Sequence, residues 1–143
     1  MKTLLTFFIL ISNLTLFAQE NKVAGDYAFT PESKDGNRIE YKLTLNQDGT
    51  FECYYHKYIK EGIPPDTHHY GKGTWKIKDN LVSFFSDKQK DIDEKHTMNF
   101  TNSVARFVTK SPRDKSDKII KIKLQFLESD IFWIKPIGLF KIE

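Results

Sequence analysis

From Ile39 to Leu45 the chain alternates without a break, with Ile39, Tyr41, Leu43 and Leu45 separated by Glu40, Lys42 and Thr44. A period of two places successive side chains on opposite faces of an extended chain, so this stretch reads as a half-buried β-strand with one wet face. The tetrapeptide Asn46-Gln47-Asp48-Gly49 comes next, and its glycine can take the positive φ that closes a tight hairpin. Thr50 to Ile59 is then the return strand. Phe51, Cys53 and Tyr55 lie on one of its faces, and Glu52, Tyr54 and His56 on the other.

The same rhythm continues. Lys60 to His69 contains Gly62 and the pair Pro64-Pro65, and reads as a loop. Strands are expected at Gly71–Ile77 and Leu81–Ser86, joined by a turn at Lys78-Asp79-Asn80. A charged connection spans Asp87–Lys95. Further strands are expected at His96–Phe100, Val104–Thr109, Lys118–Leu127, Ile131–Lys135 and Leu139–Ile142, and an initial one at Val23–Phe29. On Lys118–Leu127 the residues Ile120, Ile122, Leu124 and Phe126 share a face. No segment sustains a period of 3.6. About eight to ten short strands in one small domain mean an antiparallel sandwich or a closed barrel. The barrel removes exposed edges, which matters in a chain with 14% aromatic residues concentrated in strands.

Residues 1–18 differ from the rest of the chain. Lys2 is their one charge, an apolar run Leu4–Ile11 comes next, and Leu16-Phe17-Ala18 precedes the polar Gln19-Glu20. This is the layout of a secretory signal peptide, with cleavage expected after Ala18. A membrane span needs about 20 apolar residues, and Ser12, Asn13 and Thr15 interrupt this run. The expected mature chain, residues 19–143, is a single domain without a membrane span, delivered to the periplasm or the medium. At 39% hydrophobic the sequence is too apolar for a disordered chain. The lone Cys53 cannot form an internal disulfide, and its place among aromatic neighbours makes it a buried thiol.

Two segments carry a family likeness. Gly25-Asp26-Tyr27 opens the first strand; Leu43-Thr44-Leu45-Asn46-Gln47-Asp48-Gly49-Thr50-Phe51 and then Gly71-Lys72-Gly73-Thr74-Trp75-Lys76-Ile77 come after it in order. The set resembles the small exported lipocalin-like domains common in Bacteroidota, members of the calycin group. The resemblance runs from Gly25 to about Ser86 and implies an up-and-down antiparallel barrel. Tyr27 stands where true lipocalins carry tryptophan, and a shallow or side-chain-filled barrel is as compatible with the sequence as a deep cup.

Chemistry-bearing residues are sparse. His68 and His69 are adjacent on an extended segment and point to opposite sides, so they do not serve one metal ion together, and no metal or other cofactor is expected. Cys53 and His56 fall on opposite faces of a strand and cannot share a proton. A nucleophile elbow, a phosphate loop and a zinc-protease motif are all missing from the sequence. Asp91, Asp93 and Glu94 lie in a charged connection, where solvation explains them. The set His56, Asp66 and His69 is the one an enzymatic reading would test. Arg106 to Lys123 carries a net charge of +5. In an exported protein this stretch suits an anionic glycan, lipid head group or cell surface better than nucleic acid, but a wet strand face at Lys121 and Lys123 with a polar turn at Arg113-Asp114-Lys115 is the preferred reading.

The expected function is therefore binding, not catalysis. Tyr41, Phe51, Tyr55 and Trp75, from successive strands, are the candidates for lining a site for a small apolar or amphipathic ligand inside the barrel or at its mouth. The alternative is a protein-interaction module or inhibitor on a filled barrel. It would act through a loop carrying Glu61, His68, His69 and Tyr70.

Overall fold

The hairpin signalled by Asn46–Gly49 forms as the residue pattern requires. β2 (Arg38–Leu45) and β3 (Thr50–Tyr58) pair antiparallel, with Leu45 opposite Phe51 and Tyr41 opposite Tyr55. Gly49 closes the turn at φ 83°. A second tight turn joins β4 (Asp66–Lys78) to β5 (Leu81–Phe85), where Lys78 faces Leu81. Its two central residues, Asp79 and Asn80, have φ of 52° and 62°. Positive φ at both positions is the twist-matched two-residue hairpin that Asp and Asn tolerate.

The structure, a computed structural model, describes residues 18–31 and 33–142. The remaining strands are β1 (Gly25–Phe29), β6 (His96–Met98), β7 (Ser103–Val108), β8 (Lys123–Glu128) and β9 (Gly138–Lys141). Hydrogen-bonded order runs β3-β2-β1-β9-β8-β7-β5-β4, and a β3–β4 pairing closes the ring. The result is a closed, antiparallel, eight-stranded up-and-down barrel. β6 stands outside this count and pairs parallel with the half of β4 that β5 leaves free. The segment after Pro136 closes the barrel, because β9 lies between β8 and β1.

Alternation drives the burial. Tyr41, Leu43, Leu45, Phe51, Cys53, Tyr55, Trp75, Ile77, Val82, Phe84, Leu124 and Phe126 all point inward and are buried. The Phe51 ring meets Phe84 at 5.2 Å and Phe100 at 5.0 Å between centroids, and Phe84 stacks on Phe126 at 5.5 Å. Gly71 and Gly73 face the same space. A Cβ on Gly73 would stand 2.1 Å from the Phe85 carbonyl oxygen and 2.9 Å from the Phe51 ring; one on Gly71 would stand 2.6 Å from the Phe100 ring. The glycines leave room for aromatic rings, and the rings fill the interior.

Both ends are covered. At one, a helical turn over residues 18–23 brings in Val23, whose carbonyl accepts the Tyr27 hydroxyl, while Lys141 Nζ donates to the Lys22 carbonyl at 2.8 Å. At the other, residues 129–137 fold over the opening and bury Ile131 and Ile134.

Four expectations are corrected. His68, His69 and Tyr70 lie on β4, not in a loop: β4 begins at Asp66, directly after Pro65, and their backbones pair with His56, Tyr55 and Tyr54. Glu61 alone of that set stays in the connection. Ile131–Lys135 is no strand, because Ile134 and Ile137 donate backbone hydrogen bonds three residues back, to Ile131 and Ile134, and coil the segment. β8 starts at Lys123, five residues later than expected. β7 ends at Val108, opposite Lys123, so Ile119, Ile120 and Ile122 run past it and are exposed, Ile119 by 93%, although Lys141 of β9 still donates its N–H to the Ile122 carbonyl. Val23 belongs to the capping turn, not to β1. The expected leader lies outside the described residues apart from Ala18. No helix among the described residues is long and apolar enough to cross a membrane.

Candidate functional site

The four candidates for lining a pocket converge, but as core. Tyr41, Phe51, Tyr55 and Trp75 are between 1% and 7% exposed. Tyr41 and Tyr55 sit opposite one another with centroids 5.0 Å apart. Trp75 lies toward the end closed by Val23 and donates its indole N–H to the Asn46 carbonyl at 3.0 Å. Burial pushes the Tyr41 hydroxyl up to about 12 and the Cys53 thiol, inside as expected, also up to about 12. Both stay protonated at neutral pH, so Cys53 is no nucleophile.

The mouth at the opposite end is built differently. The coiled segment after β8 lays Trp133 over the opening, with its ring 5.7 Å from Tyr55 and 5.8 Å from His69. Phe132 packs edge-on against Trp133 at 4.9 Å and is mostly exposed. Tyr55, Lys57, Thr67, His69, Phe132 and Trp133 surround a recess of about 270 Å³. The indole N–H of Trp133 is buried and has no hydrogen-bond partner among the described residues. A buried donor left unpaired costs about 1–3 kcal/mol, a cost that holding Trp133 over the mouth carries. Trp133 is not among the residues that the sequence singles out. Its signal, a tryptophan in a short apolar run beside Pro136, is indistinguishable from that of a strand.

The outer wall carries a second cluster. Glu52, Tyr54 and His56 of β3 face outward beside His68, Tyr70 and Lys72 of β4, as the register demands. Tyr54 and Tyr70 lie 5.2 Å apart, and Lys95 Nζ sits 4.7 Å above the Tyr70 ring. With Lys42, Glu52 and His96 they border a groove of about 570 Å³. Asp93 organises one side by accepting the backbone N–H groups of Lys95 and His96, at 2.9 and 2.7 Å, and the Lys72 ammonium at 3.2 Å. These bonds, those from His96 first, hold its carboxyl well below the usual carboxylate range. Asp93 is thus a structural clasp, not simply a solvated charge.

The set His56, Asp66 and His69 is split by the wall. His56 Nε2 lies 2.8 Å from Asp66 Oδ1 on the outside, whereas His69 faces the mouth. His68 takes the outer position instead, with Nδ1 2.9 Å from the Tyr54 hydroxyl. Comparison of the chain with protein-family models, curated proteins and solved structures found no match.

Proposed function

We propose that this chain is an exported, non-catalytic binding domain of lipocalin-like type that takes a small amphipathic molecule at the covered mouth of its barrel. The observation that carries the reading is the make-up of the mouth. Aromatic surface from Tyr55, Phe132 and Trp133 meets Lys57, Thr67 and His69 around the recess. Apolar lining with a few convergent polar groups is the usual composition of a small-molecule site. The filled interior leaves no comparable room between Tyr41, Phe51 and Trp75, so the ligand lies at the rim. An anionic group such as a carboxylate pairs with Lys57, while an apolar part covers the Tyr55 and Trp133 rings. A recess of about 270 Å³ holds a small molecule or one end of a longer one.

The two tryptophans stand at opposite ends, which makes the test specific. In a Trp75→Phe variant the remaining emission comes from Trp133. Fatty acids, bile-acid-like sterols and aromatic carboxylates titrated into it, free of residual ligand, should give saturable quenching. A Trp133→Phe variant should respond little. A flat Trp133 signal across such a panel overturns the reading.

A second reading rests on the same filled interior: a protein-interaction module working from its outer surface. The groove bordered by Lys42, Tyr54, Tyr70 and Lys95 supports it, since paired tyrosines flanked by charges are typical of protein-contact surfaces. Under this reading Tyr70→Ala abolishes partner capture, and mouth variants do not.

A further inference from the structure

His56 of β3 and His68 of β4 are directly opposite one another in the ladder, and both point out of the barrel. Their imidazoles lie face to face, 4.6 Å between centroids and 3° from parallel. Asp66 is two residues before His68, on the same outer face, and reaches diagonally to place Oδ1 2.8 Å from His56 Nε2. One donor atom from each of the three lies within 4.8 Å of the other two. We propose that His56, His68 and Asp66 form a binding site for one divalent transition-metal ion, with zinc as the reference ion.

Three features support this assignment beyond proximity. Two imidazole nitrogens and one carboxylate oxygen suit zinc, copper or nickel, whereas magnesium and calcium require oxygen ligands. The Tyr54 hydroxyl lies 2.9 Å from His68 Nδ1. With the proton on Nδ1 donated to the Tyr54 oxygen, Nε2 is the His68 nitrogen left with a lone pair for an ion. Metal-binding histidines are ordinarily held in this way by a hydrogen bond on the other ring nitrogen. The third feature is the scaffold. The donors sit on two paired strands of a closed barrel, so the backbone is fixed in advance, and binding requires the stacked rings to turn about their side-chain torsions until both in-plane lone pairs converge on the ion.

In the metal-free protein the His56 Nε2–H donates to Asp66 Oδ1; when the ion takes that place the ring proton passes through solvent to Nδ1, so His56 binds as a neutral imidazole. The solvent side of the cluster leaves at least one coordination position for water. A donor from another molecule could later occupy it.

The test is calorimetric titration of zinc chloride into the untagged protein, with magnesium chloride as the control. The expected result is saturable one-to-one binding of zinc and none of magnesium. His56→Gln and His68→Gln should each weaken zinc binding at least tenfold, and Asp66→Asn several-fold, while His96→Gln leaves it unchanged. Tyr54→Phe should weaken it modestly and change the tautomer signal of the His68 ring in a nitrogen-correlated NMR spectrum. That spectrum of the unmutated protein gives a readout independent of variant folding: zinc must shift the ring resonances of His56 and His68 ahead of those of His69 and His96. No saturable heat, unchanged affinity in both His→Gln variants, or shifts confined to His69 or His96 would each overturn the proposal.

Discussion

Phe51→Ala discriminates between a filled barrel and a hollow one. Phe51 is 1% exposed and makes edge-on contacts with Phe84 and Phe100. Losing the transfer of a buried phenyl removes about 1.5–3 kcal/mol. Two aromatic pairs add about 0.5–1.5 kcal/mol each. Incomplete collapse of the surrounding rings places the total at about 3–5 kcal/mol, the usual range for Phe→Ala in a core. In a domain of this size that lowers the melting temperature by about 10–20 °C. A ring lining a water-filled or ligand-filled cup has fewer partners to lose, and its truncation costs under about 1 kcal/mol. Urea unfolding followed by far-UV circular dichroism measures the difference, and Phe51→Leu serves if Phe51→Ala does not fold. The new hole is apolar, so a small apolar probe such as benzene should raise the variant's melting temperature and leave the parent unaffected. A loss below about 1 kcal/mol, or benzene stabilisation of the parent, would refute the filled interior.

The same geometry sets other outcomes. Gly73→Ala should cost about 3 kcal/mol or more in the same unfolding assay, because the Cβ meets the Phe85 backbone, which cannot yield without breaking the β4–β5 ladder. A loss within about 0.5 kcal/mol would show that the close approach is not real. Cys53 should resist alkylation in mildly alkaline buffer and label fully in denaturant, since burial keeps the thiol protonated; rapid native labelling contradicts its placement. For Tyr41 the folded-state value is raised, so its contribution to stability is whole below the ordinary tyrosine value of about 10 and is lost as pH rises through about 12. Phenolate absorbance and circular dichroism should therefore change together in that window, and an ordinary tyrosine titration with the fold intact would count against it. Asp93→Asn should speed amide exchange at His96–Met98, because the carboxylate clasp on Lys95 and His96 is weakened.

Much of the barrel wall is legible residue by residue. The faces of β2 and β3 come from their alternation, and so do the burial of Cys53, its separation from His56, and the turns at Gly49 and Asp79-Asn80. Each of these depends on local chain geometry: a two-residue period, or a backbone that must take positive φ. Half of β4 is hidden because Pro64-Pro65 and Gly62 mark a loop, and nothing local says that pairing resumes at once. With that strand go the true neighbours of His68. His68 meets His56 only when the register of β3 on β4 is known, and the length of the turn before Asp66 sets that register. The exposed isoleucines mislead for a related reason. Ile120 and Ile122 continue the pattern of Leu124 and Phe126, yet β7 ends at Val108, opposite Lys123, and does not extend far enough to cover them.

Taken alone, the sequence determined an all-β domain with a greasy inner face, two well-defined hairpins and a thiol hidden among rings. These are consequences of neighbours in the chain. Tertiary structure alone decided whether the cylinder is hollow, what covers its ends and which histidines meet. The volume inside is set by rings from several strands and by two glycines whose missing side chains admit them. The cover at the mouth is a tryptophan whose role depends on where a coiled segment between β8 and β9 crosses the opening. Contacts between residues far apart in the chain fix these features, and no local pattern records them.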